Sequence, residues 1–496
     1  MKRKLLEILP GFLAWLTLGL LIFLSFIQPV WVAIFIIFFD CYWLFKTIFL
    51  YLHLQTSFRQ MRANKKINWL EKLQVSSFKY QVLSIYHLII LPMYKEPYEV
   101  IWESFSSLKN ANYPKEKLIV VLATEERAGE AAKITAQKIK GEFENYFFKF
   151  LITCHPANRP GEIAGKGANE TWAIKEVKKS IIDSLKIPYE NILVSVLDVD
   201  TQVGSEYFGI LTYKFLTAEY PQRSSYQPVP LFTNNIYQAP ALARVIAFST
   251  TFWMMMRQSW PERLITFSSH SMPFKALTEI GFWHTNIVSE DSQIFWQFFL
   301  HYNGDWRVVP LLYPVYMDAN VSPRFWQTIK NLYRQQRRWA WGVENVPYVF
   351  SGFSRIPWRR KLYRGFHLIE DCHSWATNAL IIFIFGWLPV LVGGEKFNIT
   401  LLSYNLPWAT SWIMTIASGG IIISAILALW LLPPKPQNLK FWHHPLFYLL
   451  QWLLMPVTLI VLGSLPALEA QTRLMLPKKF HLDFWATPKS RSKTIG

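Results

Sequence analysis

Hydrophobic positions are spread unevenly along this chain. LLEILPGFLAWLTLGLLIFLSFI and PVWVAIFIIFFDCYWLFKTIFLYL, which meet at Gln28 and Pro29, are almost unbroken apolar runs. Each is long enough to cross a hydrocarbon core of about 30 Å as a helix, so the pattern predicts a transmembrane hairpin. A cleaved leader would have a shorter apolar stretch and a small-residue cleavage site, so the hairpin is expected to be retained. Near the other end, residues 375–392, 412–432 and 445–462 form three further apolar runs. Between the two sets the period changes. YQVLSIYHLIILPMYKEP, EKLIVVLATEER, FKFLITCHP and NILVSVLDVD read as strands, and EVIWESFSSLKN, GEAAKITAQKIKGEF and NETWAIKEVKKSIIDSL carry helical spacing. Alternating strands and helices predict an α/β domain with a mostly parallel sheet covered on both faces, whose ligands bind beyond the carboxyl ends of the strands. The predicted organisation is a hairpin over 1–52, an interfacial helix over 53–79 and the α/β domain over 80–348. An interfacial segment over 349–370, transmembrane helices over 371–467 and a tail over 468–496 complete it.

Composition agrees with a mixed protein: 52% of the 496 residues are hydrophobic and 17% aromatic. Charge sets an orientation. Lys2, Arg3 and Lys4 precede the first run and Arg59, Arg62, Lys65, Lys66 and Lys72 follow the second, which by the positive-inside bias places both flanks in the cytoplasm. Five spans from there would carry Lys478, Lys479, Lys489, Arg491 and Lys493 outside, against the same bias. The tail is therefore expected inside, with one C-terminal run re-entrant at a break such as Pro456 or lying in the interface. A net charge of +18 suits an anionic partner, and bilayer lipid accounts for part of it. No zinc-finger, RNP or basic-zipper pattern points to nucleic acid. Cys41, Cys154 and Cys372 lie too far apart in sequence to suggest a disulfide framework or a cysteine metal site. In HLIEDCHSW, His367 and His373 fall on different helix faces, so the stretch reads as the wet approach to a span and not as a metal site.

Candidate chemistry clusters in a few stretches. In VSVLDVDTQVG a strand ends in Asp198 and Asp200, with one residue between them. Two such carboxylates can turn toward one divalent cation, whose preference for oxygen also matches diphosphate; an ordinary acidic loop gives the same letters. FWHTNIVSEDSQIFWQFF places Glu290 and Asp291 at a helix start, with Ser289 at the capping position. NLYRQQRRWAWG puts Gln335, Arg338 and Trp339 on a basic aromatic helix, and GEIAGKGANETWA puts Lys166 after two glycines at a helix entry suited to an anion. Singly, each reads equally well as a cap, a membrane anchor or a solvated lysine.

In combination and order these stretches resemble the membrane-integrated glycosyltransferases of family 2, the group of the cellulose, chitin and hyaluronan synthases. LPMYKEP resembles the family's opening strand, KGANETWA its lysine segment, LDVD its DxD, SED its TED and QQRRW its QxxRW. FWATPK resembles the FxVTxK gating loop of cellulose synthases, with Ala486 where valine is usual. The resemblance implies a cytoplasmic nucleotide-diphospho-sugar transferase domain of the GT-A type, inserted between N- and C-terminal transmembrane helices. It implies Asp198 and Asp200 on a Mg²⁺ or Mn²⁺ ion and the nucleotide, Lys166, Gln335 and Arg338 on the donor, and Asp291 as general base. Trp339, Glu290, Asn234 and His270, with Ser271, would face the acceptor, and Phe484, Thr487 and Lys489 would gate. Where the family has a DDG-like stretch holding the base, this chain has LATEER, so Glu125 or Glu126 takes that place and the base is left open. The implied reaction transfers a sugar, from a UDP-sugar by preference, to a growing polysaccharide in a processive, inverting, β-linking manner. The alternatives are single-sugar transfer to a lipid acceptor and, further off, a non-catalytic transport or scaffold protein.

Overall fold

The computed structural model describes residues 2–76, 79–82, 84–434 and 444–489, so Ser490, Arg491 and Lys493 lie outside the described residues. One mixed sheet of eight strands forms the centre, in the order β3-β2-β1-β4-β7-β6-β8-β5. Its first half is the parallel unit that the apolar runs predict: β1 (Tyr86–Pro92), β2 (Leu118–Glu125), β3 (Lys149–His155) and β4 (Ile192–Val196). Because successive side chains point to opposite faces, Ile89 and Leu91 of β1 enter one core while Leu88 and Ile90 enter the other. β2 does the same, with Leu118, Val120 and Leu122 on one side and Ile119, Val121 and Ala123 on the other. Helices Tyr98–Lys109, Glu130–Phe143 and Tyr207–Thr217 cover the first face, and Lys166–Val177 and Glu290–His301 the second.

The second half departs from the parallel pattern. β7 (His270–Pro273) runs antiparallel to β4 and to β6 (Ser224–Leu231), and β8 (Arg307–Tyr316) runs parallel to β6 and antiparallel to the short β5 (Gln202–Val203). β6 and β8 each contain two prolines, and their register shifts between Gln227 and Val229. Proline cannot donate to a ladder, and Pro228 sits at that shift, while Pro230, Pro310 and Pro314 keep their places in the register.

Among the described residues four helices are long and apolar enough to cross a membrane: Arg3–Ile27, Pro29–Asn64, Leu401–Leu431 and Pro445–Met475. A fifth candidate, Trp358–Phe383 with Phe385–Val392, is bent by 48° at its break. The bend falls in the first of the three C-terminal runs, while around Pro456 the helix passes through 3-10 and π turns, so both places offer a break of the kind expected. Three predicted boundaries are corrected. Residues 53–64 are no separate interfacial helix but the end of the 36-residue helix Pro29–Asn64, which holds no glycine or further proline to stop it. At 1.5 Å per residue that helix is about 54 Å long. Its last turns dock Leu54, Phe58 and Met61 against Val229, Leu231 and Phe248 of the α/β domain. Likewise Trp358–Phe383 runs unbroken through the expected boundary at 370, and the last helix continues to Met475, past 467.

A short helix, Trp69–Val75, straps the long one to the sheet. Asn68 caps it, accepting from the Glu71 amide at 3.1 Å. Glu206 clamps its start: Oε2 accepts from the Trp69 and Leu70 amides at 2.8 and 3.3 Å, and Oε1 accepts from Asn112 Nδ2 at 2.6 Å. Glu206 is buried, so Glu206→Ala strands three donors and should cost about 1–3 kcal/mol, read as a drop of several degrees in Tm in detergent. An unchanged Tm would show that the strap is held by Trp69 packing alone.

Candidate active site

The site lies at the carboxyl end of β4, where β1 and β4 diverge to their next neighbours and a crevice opens. Asp198 and Asp200 follow β4 directly, and Val199 between them is pinned by its carbonyl accepting from Ser104 Oγ at 2.7 Å. Lys166 opens its helix from across the crevice. Its Nζ stands 2.8 Å from Asp198 Oδ1, 2.7 Å from Asp291 Oδ1 and 3.7 Å from Glu170 Oε1. The DxD, lysine and SED stretches therefore meet on one ammonium.

Close backbone approach explains the two glycines before and after that lysine. A Cβ on Gly165 would lie 2.7 Å from Phe484 Cγ, and one on Gly167 would lie 3.0 Å from Glu290 Cβ and 3.1 Å from the His284 carbonyl oxygen. Asn169 Nδ2 donates to the Ala123 carbonyl at the end of β2, at 2.7 Å, fixing the helix to the sheet.

Asp200 is wholly buried. Its Oδ2 accepts from the Asp318 amide at 2.9 Å and from Lys489 Nζ at 2.6 Å, while its Oδ1 has no hydrogen-bond partner. An orphaned buried carboxylate oxygen fits a divalent cation whose other ligands come from a diphosphate. Among the described residues no group of three or more His, Cys, Asp or Glu side chains could hold a metal without such a ligand. Asp198 is committed differently, with Oδ2 accepting from Ser268 Oγ at 2.6 Å and Oδ1 on Lys166.

Electrostatics sorts the carboxyls. Burial opposes the charge on Lys166, but Asp198, Asp291, Glu170 and Glu290 outweigh it and hold the ammonium well above its ordinary range. Burial would raise Asp198, yet Lys166 and Lys489 bring it below the usual carboxylate range. Asp291 is raised, by burial first and then by Asp198, with Lys166 acting against both. Glu290 goes further, to about 8, through burial and the neighbouring Asp291. Glu170 is raised well above its ordinary value by burial and by the same acids.

The tail reaches this centre. Phe484 lies against Gly165 with its ring 5.3 Å from the Arg338 guanidinium, Trp485 lies 5.7 Å from that of Arg334, and Lys489 ends on Asp200. Thr487 Oγ1 is buried without a partner. Arg338 faces the acids from above, its charge acting on both Glu290 and Asp291. Trp339 packs between Phe267 and Phe232, at 5.6 and 6.3 Å between ring centres, and Gln335 Oε1 accepts from Asn320 Nδ2 at 3.4 Å.

Other expected residues sit elsewhere. His270 and Glu290, expected to face an acceptor, are 0% and 2% exposed. His270 lies inside β7 with Nδ1 at 2.8 Å from the Ser268 carbonyl oxygen, and Glu290 is wedged behind Gly167, so neither offers a surface to a sugar. Ser271 is also buried, sharing a hydrogen bond with Ser195 at 2.7 Å. Asn234 spends its amide on the carbonyls of Asp200 and Tyr316 and so braces the DxD turn. Glu125 grips Arg127, which lies 4.6 Å over the Tyr94 ring, and Glu126 accepts from the Ala157 amide at 2.8 Å.

Three contributors were missed. Glu170 stands one helical turn from Lys166, a spacing visible in KGANE. Ser268 opens the stretch before β7 with φ of 47°. Glu344, just past QxxRW, accepts through one oxygen from the Val288 amide, the Ser289 amide and Ser289 Oγ, holding the loop that delivers Asp291.

The profile of the glycosyl transferase family group 2 matches residues 193–475, more than half of the chain. The chain belongs to this family. It is a glycosyltransferase, which sets aside the scaffold reading. Curated proteins give no match. Among solved structures, a mannosyltransferase from Pyrobaculum calidifontis in complex with GDP-Man and Mn²⁺ is 11% identical, covering 82% of this chain and 99% of its own at a TM-score of 0.38. TarS 1–349 of S. aureus in complex with UDP-GlcNAc is 12% identical, covering 70% and 91% at a TM-score of 0.30.

The raised Glu290 fixes a pH dependence in this glycosyltransferase. A carboxyl moved from 4.5 to about 8 keeps a proton in the folded state that the unfolded chain has already released, so stability falls as pH rises between those values. Glu290→Gln carries no such proton, and its Tm should decline less between about pH 5 and pH 8 than that of the parent. Identical slopes would place the proton on another group.

Proposed function

We propose that this glycosyltransferase is membrane-integrated, takes a sugar from a nucleoside diphosphate, UDP by preference, and adds it to a growing polysaccharide with inversion, giving a β-linkage processively. The observation that supports this most is the meeting of Asp198 and Asp291 on the single ammonium of Lys166 beside the orphaned oxygen of Asp200. That arrangement separates a place for a diphosphate from a place for a proton acceptor.

On this reading Asp200 would hold a Mg²⁺ or Mn²⁺ ion, which when bound supplies charge to neutralise the leaving diphosphate. Lys166 and Arg338 add positive charge on the same side, the guanidinium being able to grip phosphate oxygens in a bidentate way. Asp291, its basicity raised by burial, takes the proton from the acceptor hydroxyl. The acceptor oxygen attacks the anomeric carbon as the diphosphate departs from the opposite face, which inverts the centre. Trp339 offers an aromatic face for a sugar ring. The tail from Phe484 to Lys489 closes the site and excludes water, with Lys489 giving up Asp200 as the donor enters. The catalytic domain and tail are cytoplasmic, as the flanking cations suggest, with the long helices in the cell membrane.

One observation favours single transfer to a lipid acceptor. A largely apolar cavity of about 390 Å³ opens between Trp15 of the first helix and Leu465, Leu468 and Leu476 of the last. Glu469 on its wall accepts from Arg337, the neighbour of Arg338. Product sizing separates the two readings. Purified membranes given radiolabelled UDP- and GDP-sugars should yield a ladder of oligomers; a single lipid adduct would replace the polymer reading.

The division of labour has its own test. Asp291→Asn should lower turnover by roughly 10²-fold or more with donor affinity nearly unchanged, whereas Asp200→Asn should weaken both. Calorimetry of nucleotide-sugar binding beside steady-state rates decides it. Normal turnover by Asp291→Asn, or loss of donor binding as severe as in Asp200→Asn, would remove the base assignment.

A further inference from the structure

Where the helix Trp358–Phe383 passes the helix Ala241–Gln258, a second charged cluster is built mainly from arginines. Arg257 and Arg263, with side chains only 7% and 8% exposed, share Asp371 at 2.7 Å each. Arg263 also binds Glu370 at 2.6 Å, and Lys46 reaches Glu370 at 3.0 Å. The Nε atoms of both arginines are buried without partners. Arg364 completes the ring. Among the described residues it makes no ion pair and no hydrogen bond, and its guanidinium rests 5.0 Å from the Phe295 ring and 5.9 Å from that of Phe299. The field of Glu262 favours its charge, and those of Arg257 and Arg263 oppose it. Four cations thus face two carboxylates, and the excess lies at Arg364, a half-buried guanidinium with no ion-pair partner among the described residues. The Nε groups of Arg257 and Arg263, buried without acceptors, are donors that a bound anion would satisfy.

The walls indicate the anion's size and source. Trp253, Tyr363, Arg364, His367 and Ile265 line a cavity of about 40 Å³, room for the oxygens of one phosphate and too little for a nucleoside or a sugar. On the neighbouring face of the same helix Trp358, Leu362 and Phe366 are 65%, 65% and 66% exposed at one-turn intervals, and Arg355, Arg359 and Arg360 crowd its start. An apolar stripe beside a phosphate-sized basic cavity matches an anionic phospholipid, with its headgroup between the arginines and its chains along the stripe.

We propose that Arg257, Arg263 and Arg364 form a binding site for the phosphate of an anionic membrane lipid, separate from the glycosyl-transfer site. The site rests on the membrane reading above, and the two fail differently: protein released from membranes by alkaline carbonate refutes the membrane reading, whereas inserted protein without lipid preference refutes only the site.

The test uses the full chain in neutral detergent, titrated with phosphatidylglycerol, phosphatidylcholine or inorganic phosphate and read by native mass spectrometry and by thermal shift. Phosphatidylglycerol should be retained and raise Tm, and phosphatidylcholine should do neither. Arg364→Gln should weaken retention about tenfold, since it removes one charge-assisted contact while leaving the Asp371 and Glu370 pairs intact. Arg359→Gln, at an exposed neighbour, should have no such effect. Should Arg364→Gln fail to fold, Ile265→Trp, which fills the cavity without altering charge, should abolish the thermal shift. Equal losses from Arg364→Gln and Arg359→Gln would reduce the binding to diffuse surface attraction, and inorganic phosphate shifting Tm as much as the lipid would overturn the lipid assignment.

Discussion

The ammonium of Lys166 is the point on which the candidate site converges. It joins the end of β4, the start of its own helix and the start of the Glu290 helix. Burying one cation among four acids is an unpromising way to gain stability, because desolvation consumes most of what the pairs return. What the arrangement provides is position. Asp198 and Asp291 are held at hydrogen-bond distance from one atom, so the spacing between them is set by Lys166 and not by the flexibility of two loops.

The acids around that lysine are not equivalent, and the difference follows from depth. Glu170 and Glu290 lie beneath it, 1% and 2% exposed, and burial with the neighbouring acids pushes both carboxyls up, Glu290 to about 8. Asp198 and Asp291 keep about a quarter of their side-chain surface open, at 29% and 24%. Raising the deeper carboxyls limits the negative charge packed around one lysine and leaves the reachable pair to present it.

Sequence reasoning reached the parallel half of the sheet because Leu88–Leu91 and Leu118–Ala123 are uninterrupted apolar runs, and Ile192–Val196 is broken only by Ser195, as strands buried on both faces would be. It missed the other half because Pro228 and Pro230 in β6, and Pro310 and Pro314 in β8, argue locally against strands, and only the tertiary register shows where the ladder tolerates them. Helix ends were misplaced for a related reason: residues 53–64 are polar enough to read as interfacial, yet nothing in them interrupts the helix that the preceding apolar run starts. Order along the chain placed Lys166, Asp198, Asp291 and Arg338 together, but it carries no information on depth. His270 and Glu290 were therefore assigned to a surface they do not reach.

The contact between Lys489 and Asp200 joins the two ends of this reasoning. Asp200 offers one oxygen to the Asp318 amide and the tail lysine and leaves the other unpaired. On the proposed function, a cation arriving with a diphosphate would compete with Lys489 for that carboxylate, while the diphosphate would attract the displaced ammonium. Closure and loading would then depend on the same carboxylate, and covering the donor would need a change of partner for one lysine.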